Sequence, residues 1–296
     1  MKLATIRLNG KEVAAILTEH GFVPLPYINK YFEKNWPEDV LGLLVERALD
    51  RLNNWFEEVK VRYSGDIESL TVPEESVQFP PLYRGPRKIW GIGLNYKAHA
   101  EDLSEKVPTS EPASFMKPDT TITGYGDTIK IPVLSNRTTG EAELALIFGR
   151  ECKNVPREEW SSVLAGFTTI IDMTAEDILR RNPRNLTQSK SFDTFLSFGP
   201  ILYTVDEVKD VFNLKVQTVI NGKVHAENVV SNMTFPPDYL VYYHTQIMTM
   251  LPGDVILTGT PGAVPLKHGD VIECRITGFK PLKNYVIDLK VKEEEQ

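Results

Sequence analysis

Two short runs, Leu144 to Phe148 and Phe167 to Ile171, constrain this chain more than any other feature of its sequence. Each is dominated by aliphatic, β-branched or aromatic residues, too short for a helix of its own and suited to a strand buried on both faces. The first run is entered through Glu141, Ala142 and Glu143, and the second ends in Asp172. Side chains two apart on a strand share a face, so Glu141 and Glu143 lie side by side, and Asp172 can add a third carboxylate from the neighbouring run. Ionised carboxylates among apolar residues repel one another and lose hydration unless a cation sits between them. A divalent-metal site is therefore one reading, and a solvated strand face is the other. Oxygen-only ligands select a hard ion, Mg2+ or Mn2+. Zinc is not expected, because the five His lack metal-ligand spacing and Cys152 and Cys274 are far apart.

The whole-chain balance narrows the class. A net charge of -7 argues against a nucleic-acid surface, which needs a basic patch. No apolar stretch approaches the roughly 18 residues of a membrane span. Two cysteines give no disulfide framework, and the chain opens on the strand-like Leu3 to Leu8, so a cytoplasmic location is expected.

Read in order, residues 1–86 form a small α+β module and residues 87–296 a larger unit, joined at the Pro-rich passage around Pro80, Pro81 and Pro86. Asn9-Gly10 and Asn221-Gly222 each sit between alternating runs and predict two tight hairpins. Leu41, Leu44, Val45, Ala48, Leu52, Trp55 and Phe56 recur at helical spacing and predict one helix of about five turns. A helix is also expected over Pro156 to Leu164, and a buried one over Tyr239 to Met250, with His244 a core histidine. Ala98 to Glu105 has room for a short helix on which His99 and Asp102 share a face, either as a general-base pair or as an incidental ion pair. Lys117 and Lys190 are candidate anion or water contacts, and the loop Thr258 to Gly262 offers hydroxyls and amides to a carboxylate. Many short strands and few helices predict a mainly β, α+β architecture.

Seven short motifs then fall into a known order. Gly93 to His99 (Gly-Leu-Asn-Tyr-Lys-Ala-His), Phe115 to Pro118, Glu141 to Glu143, and Asp172 followed by Met-Thr-Ala come first. Lys190 to Phe195 with Gly199-Pro200, Asn221-Gly222, and Pro252 to Asp254 followed by Thr258 to Pro261 complete the set. Together they resemble the fumarylacetoacetate hydrolase family over about Lys88 to Leu289. The resemblance implies a β-roll of twisted mixed sheets, a homodimer, and Mg2+ or Mn2+ held by Glu141, Glu143 and Asp172. It implies His99 as general base with Asp102 as its carboxylate, Lys190 as the lysine that helps place water, and Thr260 in the substrate loop.

The implied chemistry is cleavage of a carbon-carbon bond in a 2-oxo acid such as an acylpyruvate, through an enolate whose charge develops beside the dication. Oxaloacetate decarboxylation or enol isomerisation at the same site are alternatives, and a non-enzymatic interaction module is a third. Two departures bear on this. Glu176 stands where the family commonly has Arg, and Leu179 where it has Gln, so Arg180, Arg181 or Gln188 is left to hold the distal end of a substrate. The usual Glu of the His pair is Asp102, with Glu101 as a less well-placed substitute.

Overall fold

The computed structural model describes residues 1–96, 110–184 and 186–291. His99, Asp102 and Glu101 lie outside them. The two runs of the opening argument become the longest strands, β8 (Thr138–Phe148) and β9 (Leu164–Ala175), and every residue of both is buried. They pair antiparallel over their whole length, with Glu141 opposite Asp172 and Glu143 opposite Ile170. A period of two then gives the faces. Ala142, Leu144, Leu146 and Phe148 join one apolar cluster, while Ala145, Ile147 and Ile170, on the face of the acids, join another.

This pair sits inside a 12-stranded sheet that begins with β1 (Lys2–Leu8), β2 (Lys11–Thr18) and β3 (Gly21–Pro24). β1 pairs antiparallel with β11 (Ile201–Thr204), so the strands of the N-terminal region extend the larger sheet of residues 87–296. Asn9 and Gly10 turn β1 into β2 at φ 50° and 78°, as a two-residue hairpin of this twist demands. On the far side of β8 lie β4 (Ile89–Gly93), β5 (Ala113–Met116) and β14 (Val255–Leu257).

The second sheet has five strands: β7 (Thr128–Ile131), β12 (Lys215–Ile220), β13 (Lys223–Val229), β16 (Val271–Ile276) and β17 (Leu282–Asp288). Asn221-Gly222 closes the predicted hairpin between β12 and β13. The mixed, strand-rich architecture is the expected one.

The helices depart from expectation in informative ways. After α1 (Leu25–Phe32), the predicted five-turn helix is two, α2 (Val40–Val45) and α3 (Leu49–Arg62). Asp39 caps α2 by accepting from the Gly42 amide at 2.7 Å, and Arg47 at φ 53° ends it with the left-handed turn that satisfies its last carbonyls. The apolar spacing survives the break because Leu43, Leu44, Ala48, Leu52 and Phe56 all face one core. Residues 157–163 form a 3-10 helix, and Pro237–Ile247 forms a helix that carries His244 and is buried on one face only, with Tyr242, Gln246 and Ile247 exposed on the other. No helix among the described residues is long and apolar enough to cross a membrane.

Candidate metal centre and active site

The site opens where the ladder beside β8 is interrupted. β14 pairs with β8 at Ala145 to Ile147 and β15 (Val264–Pro265) at Thr139 and Gly140, so the loop 258–263 bulges away opposite Glu141 to Leu144. Ala142 N–H is met instead by the Thr218 hydroxyl of the second sheet at 3.1 Å. The bulge lets Gly259, at φ 96°, turn its amide onto Glu143 Oε2 at 2.6 Å. A Cβ at Gly259 would stand 2.8 Å from the Asn95 Cβ, so a side chain is excluded there. Asn95 holds the bulge in place, donating to the carbonyls of Phe235 and Thr258 and accepting from the Phe235 amide.

Register delivers the three acids together. Glu141, Glu143 and Asp172 each offer an oxygen within 4.8 Å of the others, and all three are buried. The Thr174 hydroxyl donates to Glu141 Oε1 at 2.5 Å and that of Thr139 at 3.3 Å. Lys190, on a helix spanning Leu186–Lys190, donates to Glu141 Oε2 at 3.0 Å and to Asp172 Oδ2. Lys117 Nζ lies 2.6 Å from Asp172 Oδ1 as an ion pair without hydrogen-bond alignment, so that buried oxygen has no aligned donor among the described residues.

The charges do not balance. Among the described residues, with both lysines taken as cations and all three carboxylates as ionised, the net charge of the cluster is minus one. Burial, then the Asp172 charge, pushes the Glu143 carboxyl well above the usual carboxylate range. Burial lowers Lys117, whereas for Lys190 burial is outweighed by Asp172 and Glu141, which hold its ammonium above the ordinary lysine range. A cluster of hard oxygens that is short of positive charge and has one unaligned oxygen fits a divalent ion held by Glu141, Glu143 and Asp172.

Beside the acids lies a cavity of about 280 Å³ lined in part by Glu141, Lys190, Thr260, Thr174, Phe115 and Arg180. Larger grooves elsewhere on the surface border none of the three acids. Of the residues singled out in the sequence, Glu141, Glu143, Asp172, Lys117 and Lys190 are brought together, and Thr260 reaches the cavity wall. Gln188 is exposed on the helix that carries Lys190. Glu176 lines the cavity but faces Arg137 and Arg180. Sequence reasoning missed Thr139 and Thr174, although each lies two residues from an acid and hence on its face. It also missed Asn95, for which only the fold gives a reason.

Known proteins share this arrangement of strands. The fumarylacetoacetate (FAA) hydrolase C-terminal family matches residues 88–287. An Archaeoglobus fulgidus protein is 40% identical over 225 residues, 75% of this chain and 87% of its own length. The Homo sapiens mitochondrial oxaloacetate tautomerase FAHD2A is 35% identical over 225 residues, 73% of this chain and 71% of its own. The solved structure of 5-carboxymethyl-2-hydroxymuconate delta-isomerase from Mycobacterium smegmatis aligns with a TM-score of 0.75 at 27% identity, covering 97% of this chain and 99% of that one. Because the match spans most of the chain and holds the acid-bearing strand pair within it, the chain belongs to the fumarylacetoacetate hydrolase family.

Proposed function

We propose that this chain is a Mg2+- or Mn2+-dependent enzyme that interconverts the keto and enol forms of a short 2-oxo acid, with oxaloacetate as the first candidate. The observation that carries the reading is the buried triad, of which Glu141 lies in the wall of a small, otherwise largely apolar cavity. When bound, a divalent ion supplies a Lewis acid that draws electron density from the 2-oxo group. It also turns the local net charge from minus one to plus one, which suits an anionic ligand.

The chain's own residues do the rest. Lys190, held protonated by its two carboxylate partners, acts as a fixed cation and donor and not as a base. Thr174 and Thr139 fix the rotamer of Glu141, so its oxygens are presented without reorganisation. Proton transfer at the carbon beside the 2-oxo group then falls to His99 in this reading. Phe115, Ile92 and Leu179 keep the cavity dry, which strengthens each of these interactions.

Hydrolysis of the carbon-carbon bond of an acylpyruvate is the second reading, favoured by the Gly93 to His99 motif. It differs in asking His99 to activate water instead of moving a substrate proton. Manganese-loaded protein given the enol of oxaloacetate, followed by loss of its ultraviolet absorbance, is expected to accelerate conversion to the keto form without release of carbon dioxide. Absence of that acceleration, with pyruvate released from an acylpyruvate, would replace the first reading by the second.

A further inference from the structure

The wall of the same cavity carries a second charged group. Glu176 is 5% exposed, yet it lies in the cavity wall, where a lone carboxylate would repel an anionic substrate. It is not alone. Arg137 donates from Nε to Glu176 Oε2 at 2.6 Å, and Arg180 Nη2 lies against Oε1 as an ion pair without hydrogen-bond alignment, one helical turn along the helix Glu176–Arg181. Of the two guanidinium groups on Glu176, only that of Arg180 borders the cavity, so the acid is neutralised and Arg180 is the cation the cavity meets. Glu176 is itself fixed by the sheet: its amide continues the β8–β9 ladder by donating to the Arg137 carbonyl at 2.8 Å. The next residue, Asp177, accepts from the Ser135 hydroxyl and the Asn136 amide, which pins the loop that carries Arg137.

We infer that Arg180, steadied by Glu176, is the residue that receives the distal carboxylate of a dicarboxylic 2-oxo substrate, making the enzyme selective for diacids over monoacids. Arg180 lines the same cavity as Glu141 and Lys190. A guanidinium has five donors in a planar fork, so pairing through Nη2 with Glu176 leaves an edge that can take a carboxylate in two parallel hydrogen bonds. Arg137 supports Glu176 but is absent from the cavity wall, which makes it the counter-charge and Arg180 the contact. The arrangement accounts for an acid at a position where an anion-binding cavity would otherwise carry a cation: the Glu is a tether, and the cation is supplied four residues later.

The inference rests on the reading of the site as one for 2-oxo acids, and its test does not depend on turnover. Calorimetry on the manganese-loaded chain compares oxalate, which has no distal carboxylate, with an oxaloacetate fluorinated at both C3 positions, which has one and cannot enolise. Arg180→Ala is expected to weaken the fluorinated diacid about 10- to 100-fold and oxalate less than about twofold. Arg180→Lys, which keeps the charge but not the fork, is expected to fall between. Equal losses for both ligands, or no loss for either, overturn the assignment. If the unaltered chain binds both ligands and yet does not move the oxaloacetate enol to its keto form, the tautomerase reading fails while the role of Arg180 is still decided by the ratio. If the unaltered chain takes up neither ligand, both fall.

Discussion

Asp254 and the cluster of Glu141, Glu143 and Asp172 are all buried carboxylates, but their charge is met in different ways. Asp254 accepts from the Lys88 amide at 2.9 Å, from the Lys88 ammonium at 2.6 Å and from the Leu251 amide at 2.8 Å. One negative charge meets one positive charge and two backbone donors, and nothing is left over. The triad sets three carboxylates against two ammonium groups, with an oxygen of Asp172 unaligned with any donor among the described residues. The first arrangement closes a turn ahead of β14. The second is unfavourable until another cation arrives, and so it marks a place of chemistry.

Substitution separates the two most sharply at Glu143. Glu143→Gln keeps the shape and the contact with Gly259 but removes one anionic ligand. Manganese affinity measured by calorimetry is expected to fall at least about 100-fold. Melting of the metal-free chain should stay level or rise, because an amide carries no charge for burial and Asp172 to disfavour, as they do the ionised Glu143 carboxyl. A metal-free melting temperature that drops sharply would mean that the triad holds the fold in the manner of Asp254.

Asp254→Asn should show the opposite pattern. It strands the Lys88 ammonium, which is 21% exposed, and places an amide among backbone donors. A loss of about 2–4 kcal/mol in denaturant unfolding is expected, equal with and without manganese. A loss that manganese restores would tie Asp254 to the metal centre and break the contrast.

How far this contrast can be read from sequence alone depends on distance along the chain. Glu141, Glu143 and Asp172 stand at the ends of two β-rich runs, and a period of two with one register choice is enough to bring them together. Asn9-Gly10 and Asn221-Gly222 are legible for the same reason, since a two-residue turn is a local event. Asp254 is not legible, because its partner Lys88 is 166 residues away and no local pattern announces it. The break at Arg47 escapes a periodicity argument because the apolar face continues across it. Asn95 and Thr218 act only at the gap between β14 and β15, a feature of the folded sheet.

Thr174 tests the layer just behind the acids. Thr174→Val keeps the volume and the strand preference but removes the 2.5 Å hydrogen bond to Glu141 Oε1. Manganese affinity is expected to fall about 10-fold with the fold intact. An unchanged affinity would show that Glu141 is oriented without the Thr174 hydroxyl, its remaining partners, Lys190 and Thr139 among them, being sufficient.

His244 supplies the smallest effect and a third kind of buried ionisable group, one held neutral. It is 1% exposed, its Nδ1 lies 2.8 Å from the Leu240 carbonyl, and its ring stands edge-on to Trp90, with no carboxylate on it among the described residues. Burial lowers its affinity for a proton, against a smaller opposing pull from the Leu240 carbonyl. The sign follows. Above the ordinary histidine range both folded and unfolded chains are neutral and His244 contributes no pH dependence. As pH falls through about 6.5 the unfolded chain takes up a proton that the folded chain refuses, so stability declines. The loss between pH 7 and 5.5 reaches up to about 1 kcal/mol. His244→Phe, which keeps an aromatic edge against Trp90 and cannot titrate, should flatten that limb in melts followed across this range. The contrast with the triad sharpens if manganese leaves the limb unaltered, and an identical limb in the variant would assign it to another group.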